Sequence, residues 1–407
     1  MFNFDIVILG GGIVGLSLAH QIIASYPDLS VSIVEKESRF GLHSSGRNSG
    51  VLHAGIYYPP STLKAKVCVQ GARRLRAWCE AEGLPVFSCG KVIVPQTEEL
   101  DPQLELLRDR GRANGADVEL IDQQEFHERV PDGHTASGRA LWSPGTCVVQ
   151  PKLVIQRLTQ RLKELGVSFF MESEVVKANP GARELTFAYA GDTCKLSYGH
   201  LFNTTGLHAD RVAQSFGIGQ NYTLLPFKGI YWQIHPDAPF RFNTNLYPVP
   251  DLNVPFLGVH VTPSPDGTVS LGPTAIPAFG RENYQGINGI EPRMAIELLY
   301  VLAGQWQQNK NGFRRYSREQ ALHGLKPLFL KAAQALVPRL QSDHLIPSSK
   351  VGIRAQLYDR NSRSLVQDFC LEQGPSSTHV LNAISPAFTA SFALADLILD
   401  QSSFAFT

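Results

Sequence analysis

Short apolar runs and glycines alternate at the start of the chain. Residues 6–9 form an uninterrupted apolar run, residues 10–15 are rich in glycine, and an apolar, helix-like stretch follows to about Ile23. A second β-branched run occupies residues 31–34. Short apolar runs are typical of buried strands, and glycines mark the turns between elements. The pattern therefore predicts a β-α-β unit that opens the chain.

The pattern changes between residues 61 and 145. The spacing of apolar residues predicts helices at 61–82, 98–114 and 124–129, and strands at 86–87, 91–94 and 118–121. Strands and helices no longer alternate here as a doubly wound sheet requires. We interpret this segment as an excursion out of the opening domain.

The opening domain resumes near residue 146. Pro151 opens a predicted helix that runs to Gly166, and strands are predicted at 167–171, 174–177 and 200–206. The last strand ends in Thr-Thr-Gly, and small residues at such a strand end can bring backbone against a dinucleotide. An ordinary strand-turn-helix would have the same local pattern.

Proline, aromatic residues and short alternating runs dominate residues 222–346. They predict an antiparallel sheet with strands at 224–234, 245–248, 256–262 and 268–271, and helices at 290–308 and 318–336. Strands at 351–356 and 380–382 and a helix opened by Pro386 end the chain. The predicted fold class is α/β with two interleaved domains: a Rossmann-like nucleotide-binding domain from residues 1–82, 146–216 and 347–407, and an antiparallel-sheet substrate-binding domain from residues 83–145 and 217–346.

Composition excludes several classes of protein. Lys and Arg total 37 against 36 for Asp and Glu, so no global field attracts nucleic acid. The six cysteines have no metal-type spacing, which indicates reduced thiols in a cytoplasmic protein without a metal site. No signal peptide or membrane span is predicted. Peripheral association with a membrane stays open, because a small amphipathic patch leaves no trace in composition.

The opening glycines suit a dinucleotide. Gly10 permits a tight turn, Gly12 lets the backbone approach a pyrophosphate, and Gly15 lets helix and strand pack closely. Glu35 ends the second strand, about twenty residues further on, where an acid can bind a ribose hydroxyl pair. A glycine-rich turn in an unrelated α/β domain is the alternative.

A polar, glycine-punctuated loop at 43–50 and an apolar, aromatic stretch at 51–58 follow this unit. The loop could wrap a second phosphate or the far half of a cofactor, or be a solvated surface loop. The stretch after it is more typical of a pocket wall, which makes His53 a candidate site residue.

Three later residues are candidates for chemistry. Lys228 and His260 lie on predicted strands, where a lone histidine is more often a packed residue than a catalyst. Arg354 lies in an apolar strand, where a bound carboxylate or a structural salt bridge would equally justify its burial. The helix that begins near Pro386 could direct its N-terminal dipole at a cofactor ring.

The chain resembles the FAD-dependent D-amino-acid oxidase superfamily and, more closely, the L-2-hydroxyglutarate oxidase/dehydrogenase family. The resemblance rests on stretches that span nearly the whole chain: 48–58, 89–91, 255–260, 272–273, 354–356, 382–383 and 385–386. The first of them is long enough to be specific.

The resemblance implies an FAD enzyme that oxidises the C2 hydroxyl of an L-2-hydroxy dicarboxylate to a 2-keto acid by hydride transfer to flavin N5. Oxygen or a quinone-type acceptor would take the electrons. His53 and His260 are the candidate bases, and the sequence leaves open which of them acts. Arg354 would hold the α-carboxylate, with Tyr57, Lys228 and Tyr231 as further pocket residues.

The resemblance also assigns residues to FAD. They come from the glycine turn, the acidic strand end, the polar loop, a mid-chain strand, the Thr-Gly strand end and the start of the last helix: Gly10, Gly12, Ile13, Val14, Gly15, Glu35, Lys36, Ser44, Ser45, Arg47, Asn48, Ser49, Gly50, Val51, Val175, Thr205, Gly206, Ser385, Pro386, Ala387, Phe388 and Thr389.

Departures from the family pattern leave the substrate open. The family has histidine at Arg47, Arg-Gly-Glu at residues 228–230, where this chain has Lys-Gly-Ile, and small residues near Phe388. Lys for Arg changes the charge geometry, so another 2-hydroxy acid stays an alternative. An amino-acid-oxidising relative and a non-catalytic flavin-binding module are the two further alternatives.

Overall fold

Three β-sheets and the helices around them make up the part of the chain that the structure describes. The structure is a computed structural model and describes residues 1–252, 257–309 and 312–404. The helices are α1 (Ile13–Ser25), α2 (Leu63–Ala81), α3 (Pro102–Ala113), α4 (Gln123–Arg129), α5 (Pro151–Glu164), α6 (Ala209–Ser215), α7 (Pro292–Gln308), α8 (Phe313–Leu322), α9 (Lys326–Gln334) and α10 (Ala387–Gln401).

The strands are β1 (Phe2–Leu9), β2 (Val31–Val34), β3 (Val51–Leu52), β4 (Val86–Phe87), β5 (Lys91–Val94), β6 (Glu119–Ile121), β7 (Ala140–Ser143), β8 (Cys147–Val149), β9 (Ser168–Phe170), β10 (Val175–Asn179), β11 (Glu184–Tyr189), β12 (Asp192–Asn203), β13 (Tyr222–Ile234), β14 (Asn245–Pro248), β15 (His260–Pro263), β16 (Val269–Gly272), β17 (Ile276–Pro277), β18 (Leu345–Asp359), β19 (Ser364–Leu365), β20 (Cys370–Gly374) and β21 (Ser377–Asn382).

The first sheet is centred on β1, which pairs in parallel with β12 and β2. β9 continues the sheet beyond β2, and β21 pairs in parallel with the C-terminal end of β12. Residues 6–9 are at most 1% exposed because helices pack over them on one face and a second apolar cluster on the other. The predicted opening β-α-β unit is therefore confirmed.

Helices α1, α2 and α10 cover one face of this sheet. The backbones of α2 and α10 approach closely where Gly71 meets Ala390, since a Cβ built on Gly71 would lie 2.5 Å from the Ala390 Cα atom. Glycine removes that clash. The close crossing fixes the start of α10 beside the chain that leads from β3.

The second sheet runs in the order β19-β18-β13-β16-β15-β14-β5-β7-β6, with β17 also paired to β13. Its neighbours are antiparallel except for the parallel pair β14 and β5. Apolar residues of α7 and α9 pack against its strands. The sheet is predominantly antiparallel, as predicted, and the short sheet β3-β8-β4 is separate from it.

Two predicted elements differ from the structure. The single helix predicted at 318–336 is wrong, because α8 ends at Leu322 and α9 begins at Lys326 with Pro327 in its first turn. The strand predicted at 256–262 begins only at His260, and residue 256 lies outside the described residues.

The domain boundaries stay a proposal. β18 begins at Leu345 and pairs along most of its length with β13 in the second sheet, although residues 347–407 were predicted to belong to the nucleotide-binding domain.

In the part of the chain that the structure describes, no helix has the length and apolar character needed to cross a bilayer.

A buried ion pair joins the two large sheets. Asp210 lies on α6, which follows β12, and Arg281 lies in the segment after β17. The Arg281 guanidinium donates to both Asp210 carboxylate oxygens at 2.6 and 2.8 Å, and each side chain is 2% exposed. Asp210 also accepts the Leu224 backbone N–H at 2.8 Å. The pair therefore positions the start of β13 against α6.

We predict that Arg281→Met destabilises the protein by about 3–5 kcal/mol, because it leaves the Asp210 carboxylate buried without its partner. Urea unfolding at a fixed excess of cofactor measures the loss. The matched control is Arg360→Met, which removes an ion pair whose side chains are 47% and 30% exposed and which should cost less than about 1 kcal/mol. Equal unfolding midpoints for the two variants would contradict the prediction.

Candidate active site

A cavity of about 750 Å³ is lined by residues of both large sheets. The first sheet contributes the turn between β1 and α1 and the C-terminal ends of β2 and β12. The second sheet contributes β13, β14, β15 and β18, and the start of α10 completes the wall. The cavity therefore extends from the predicted dinucleotide turn to the predicted substrate residues.

The turn is held by close backbone contacts. Gly10 has a φ of +96° and a Cβ there would lie 2.8 Å from the Thr204 carbonyl oxygen, at the end of β12. A Cβ on Gly15 would lie 2.2 Å from the Gly10 carbonyl oxygen, so Gly15 serves packing and is not on the cavity wall. The N-cap residue of α1, Gly12, has no side chain, and among the described residues the only side chain that accepts an N–H of the first turn is Ser45, which accepts from Ile13. The other N–H groups of this helix N-terminus are thus available to an anion.

Glu35 lies beside this turn at the end of β2 and is 9% exposed. One carboxylate oxygen accepts the Gly11 N–H at 2.8 Å and the other accepts the Glu37 N–H at 3.0 Å. Each oxygen keeps a lone pair for a further donor. The residue therefore suits a ribose diol. The neighbouring Lys36 ammonium lies 2.6 Å from a carboxylate oxygen of Glu37 and also of Glu282.

The polar loop at 43–50 forms part of the cavity wall. Ser45 Oγ accepts the Ile13 N–H at 2.9 Å, and Ser44 Oγ donates to the Ile353 carbonyl at 2.8 Å. The loop therefore joins the start of α1 to β18. The Arg47 guanidinium lies 4.1 Å from the centre of the Tyr284 ring. Of the predicted loop residues, Ser44, Ser45, Arg47, Asn48, Ser49 and Val51 line the cavity.

Gly50 is set back from the cavity. It has a φ of +79°, and a Cβ would lie 2.1 Å from the Val149 carbonyl oxygen. Its role in the structure is to pass the chain close to β8. His43 does line the cavity, but both ring nitrogens are engaged, at 2.7 Å from Tyr284 Oη and 3.0 Å from a Glu37 carboxylate oxygen.

The remaining predicted cofactor residues lie on the cavity wall: Gly10, Gly12, Ile13, Val14, Glu35, Lys36, Val175, Thr205, Gly206, Ser385, Pro386, Ala387, Phe388 and Thr389. Thr389 connects the start of α10 to the backbone of the candidate base His53. Its hydroxyl accepts the His53 backbone N–H at 3.2 Å and donates to the Val51 carbonyl at 3.1 Å.

Both candidate histidines line the cavity and are buried. His260 Nδ1 lies 2.9 Å from the Gly258 carbonyl oxygen, and its ring stacks on Tyr247 with centres 3.9 Å apart. A neutral His260 must donate that bond from Nδ1, so its Nε2 keeps a lone pair. His53 Nδ1 is buried and has no hydrogen-bond partner among the described residues.

The two imidazoles are neutral at physiological pH. The pKa of His260 is lowered to about 3, mainly by burial and to a smaller extent by Lys91 and Arg354, while the hydrogen bond to the Gly258 carbonyl acts in the opposite direction. Burial is also the main cause that holds the pKa of His53 well below its ordinary value, and the neighbouring side chains of Lys91, His260 and Arg354 act in the same direction. Each histidine is therefore in the form that can accept a proton.

Arg354 reaches the cavity from β18. Burial lowers the pKa of its guanidinium, and the neighbouring hydroxyls of Tyr316, Tyr231 and Tyr58 act in the opposite direction. An arginine stays charged in a protein even so. Among the described residues that line the cavity, the only carboxylates are Glu35 and Glu174. The wall around Arg354 therefore suits an anionic ligand.

Strand alternation separates the other predicted substrate residues. Phe227, Gly229 and Tyr231 line the cavity from β13, whereas Lys228 and Ile230 do not, since successive side chains of a strand point to opposite faces. The Lys228 ammonium donates to Asn283 Oδ1 at 3.1 Å instead. Of the departures from the family pattern, Arg47 and Phe388 therefore lie on the cavity and residues 228 and 230 lie off it.

Tyr57 is also behind the wall, where its ring faces the Lys91 ammonium at 4.7 Å. Sequence reasoning did not select Lys91 or Tyr247 as site residues. The only signal for Lys91 was its place in the stretch 89–91, and no local pattern distinguishes Tyr247 from other aromatic residues of the second sheet.

Comparison with known proteins identifies the family of this chain. The model of the DAO family, described as FAD dependent oxidoreductase, matches residues 5–401. The L-2-hydroxyglutarate dehydrogenase of Indibacter alkaliphilus is 34% identical over 98% of this chain and 98% of its own. The mitochondrial L-2-hydroxyglutarate dehydrogenase of Caenorhabditis elegans is 34% identical over 98% of this chain and 93% of its own.

Solved structures support the fold. An L-alpha-glycerophosphate oxidase from Mycoplasma pneumoniae, reduced with dithionite and with FAD bound, superposes with a TM-score of 0.75. The alignment covers 98% of this chain and 94% of the oxidase at 21% identity. The predicted α/β fold class with a Rossmann-like FAD-binding domain is confirmed.

We predict that Glu35→Ala weakens FAD binding at least about tenfold, because hydrogen bonds to a charged group contribute about 1.5–3 kcal/mol. Titration of the apoprotein with FAD, followed by flavin fluorescence, measures the dissociation constant. Glu80→Ala is the matched control, since Glu80 lies on the exposed side of α2 in a pair with Arg76. An unchanged dissociation constant in Glu35→Ala would show that the carboxylate takes no part in FAD binding.

Proposed function

Because the chain belongs to the DAO family of FAD-dependent oxidoreductases, and FAD is therefore its cofactor, we propose that it oxidises the C2 hydroxyl of L-2-hydroxyglutarate to give 2-oxoglutarate. Relatives at 34% identity over 98% of the chain that are named L-2-hydroxyglutarate dehydrogenases support this substrate. The single structural observation behind the proposal is that Arg354 and two neutral histidines line the same cavity.

Arg354 binds the C1 carboxylate of the substrate in this proposal. A guanidinium presents two parallel N–H donors to a carboxylate, which fixes the orientation of the bound acid as well as its position. The C2 carbon is bonded to that carboxylate, so the same contact determines where the hydroxyl and the C2 hydrogen point. Enantiomers of the substrate then present different groups to the histidines.

A histidine accepts the hydroxyl proton. His260 is the better candidate, because the Gly258 carbonyl fixes its Nδ1–H and leaves Nε2 as the acceptor. His53 lies on the same cavity and can hold the hydroxyl oxygen in register. When bound, FAD supplies the acceptor for the C2 hydride at its N5 atom.

The dicarboxylate also strengthens the base. The low pKa of His260 is that of the protein without substrate, in which the nearby charges are those of Lys91 and Arg354. Two substrate carboxylates add negative charge beside the imidazole, which favours its protonated form and raises its pKa. Proton transfer from the hydroxyl is therefore easier with the correct, dianionic substrate in place.

We predict that Arg354→Lys raises the concentration of L-2-hydroxyglutarate needed for half-maximal flavin reduction at least about tenfold, because lysine keeps the charge and loses the bidentate contact. Anaerobic bleaching of the flavin absorption measures this concentration. Arg360→Lys, at an exposed position, is the matched control.

The unmodified protein tests the substrate in the same assay. L-2-Hydroxyglutarate should bleach the flavin rapidly, whereas the D enantiomer, L-lactate and glycine should not. Bleaching by glycine alone would assign the protein to amine oxidation, and a preparation that takes up no FAD would overturn the proposal entirely.

We further propose that the protein associates peripherally with a membrane, where a quinone-type acceptor would be within reach. On α7, Ile296, Leu299 and Tyr300 share one face and are 69%, 54% and 79% exposed. Arg314, Arg315 and Arg318 are exposed on the adjacent α8, and the Arg318 guanidinium lies 4.9 Å from the centre of the Trp306 ring of α7. Apolar residues beside cations suit an anionic lipid surface.

The double substitution Leu299→Ser and Tyr300→Ser should remove most binding to phosphatidylcholine vesicles that contain phosphatidylglycerol, because each exposed apolar side chain gains about 1.5–3 kcal/mol on burial. Co-sedimentation measures binding. Leu106→Ser, which changes an exposed leucine on α3, should bind as the unmodified protein does. If the unmodified protein does not sediment with these vesicles, the membrane proposal is wrong.

A further inference from the structure

A lysine lies behind the cavity wall with no opposite charge beside it. Lys91 is the first residue of β5, is 0% exposed, and its ammonium has no hydrogen-bond partner among the described residues. The nearest groups are aromatic: the ammonium lies 4.7 Å from the centre of the Tyr57 ring and 5.3 Å from that of Tyr247. Burial lowers the pKa of Lys91 to about 8, so the ammonium is the main form at neutral pH.

Burying such a charge is unfavourable for folding. An ammonium that leaves water without a paired carboxylate loses several kcal/mol of hydration, and two cation–π contacts return only about 0.5–2 kcal/mol each. A methionine or leucine would fill the same space at no such cost. Stability therefore does not explain why a lysine occupies this position.

The surroundings of Lys91 connect it to the candidate bases. Tyr247, one of its two aromatic neighbours, stacks on His260, and Tyr57 follows His53 by four residues. Burial is the main cause that lowers the pKa of both histidines, and the charge of Lys91 lowers the pKa of each in the same direction. It does not line the cavity, so it does not contact a bound ligand directly.

We propose that Lys91 is a positioning residue: its buried ammonium adds to the effect of burial in disfavouring the protonated forms of His53 and His260, so that the histidine that serves as base can accept a proton from the substrate. This inference rests on the proposed function for the identity of the reaction, but not for the state of the histidines. It applies whichever histidine is the base.

Other ionisable groups lie around Lys91 and the two histidines. Arg354 on β18 lowers the pKa of both histidines in the same direction as Lys91. The remaining groups are Cys68 and Lys64 on α2, Tyr57 and Tyr58 in the segment after His53, and Tyr247 on β14. The Cys68 thiol donates to the His53 carbonyl at 3.3 Å, and burial raises its pKa to about 12, so it stays neutral. None of these groups offers a carboxylate.

The test compares Lys91→Met with Lys91→Arg in the FAD-loaded protein. Methionine removes the charge and suits the aromatic surroundings, whereas arginine keeps the charge. The rate of anaerobic flavin reduction is measured against pH with whichever acid bleaches the flavin. In Lys91→Met the acidic limb should move up by about one pH unit or more, because the base takes up a proton more readily. In Lys91→Arg the limb should stay where it is in the unmodified protein.

Two further readouts separate this role from a merely structural one. Lys91→Met should melt at or above the temperature of the unmodified protein, since it removes an unpaired buried charge. Spectra of ¹⁵N-labelled histidine should show the midpoint for His53 or His260 raised in Lys91→Met and unchanged in Lys91→Arg. This readout does not need turnover, so it still decides the role of Lys91 if no hydroxy acid reduces the flavin and the proposed function fails.

An acidic limb and histidine midpoints that are the same in Lys91→Met and in the unmodified protein would overturn the proposal. A uniform fall in rate at every pH with a lowered melting temperature would also overturn it, because that result describes a packing role.

Discussion

Buried positive charge is the constraint on which the site depends. Arg354 and Lys91 come from two strands of the second sheet, and the only carboxylates on the described cavity wall, Glu35 and Glu174, lie next to strands of the first sheet. This positive charge would stabilise a bound dianion. It also explains why both histidines are neutral, since burial and neighbouring cations act on them in the same direction.

The two-sheet architecture makes this separation of charge possible. The first sheet presents helix N-termini, glycines and the Glu35 carboxylate to a dinucleotide, while the second presents alternate residues of β13, His260 of β15 and four consecutive residues of β18. The Asp210–Arg281 pair and the 43–50 loop hold these two halves together. A shift of one sheet against the other would therefore change the distance between the cofactor and the substrate-binding residues, while the geometry within each set of residues stayed the same.

The features that could be predicted from the sequence are those encoded by local pattern. One turn was predicted from the glycines at 10, 12 and 15 and the acid at 35. Its geometry depends on a few neighbouring residues, and the structure contains it. The single helix predicted at 318–336 was wrong, because the apolar spacing continues across Pro327 although the helix does not. Proline outweighed periodicity there.

Site residues that depend on tertiary contacts were harder to find. Lys228 was selected for its charge, but strand alternation turns it away from the cavity toward Asn283. Lys91 and Tyr247 acquire their environment from the pairing of β5, β14 and β15, which no short-range signal encodes. His53, His260 and Arg354 were candidates because of the apolar or strand-like stretches around them, and the family resemblance then assigned their roles. The structure shows that all three line one cavity.

The most direct test of the central claim is a single anaerobic turnover with L-2-hydroxyglutarate that carries deuterium at C2. If the site removes that hydrogen as hydride while a histidine takes the hydroxyl proton, flavin bleaching will be slower than with the undeuterated acid, and one 2-oxoglutarate will form for each flavin reduced. Bleaching without 2-oxoglutarate, or no bleaching of an FAD-loaded preparation, would contradict the account.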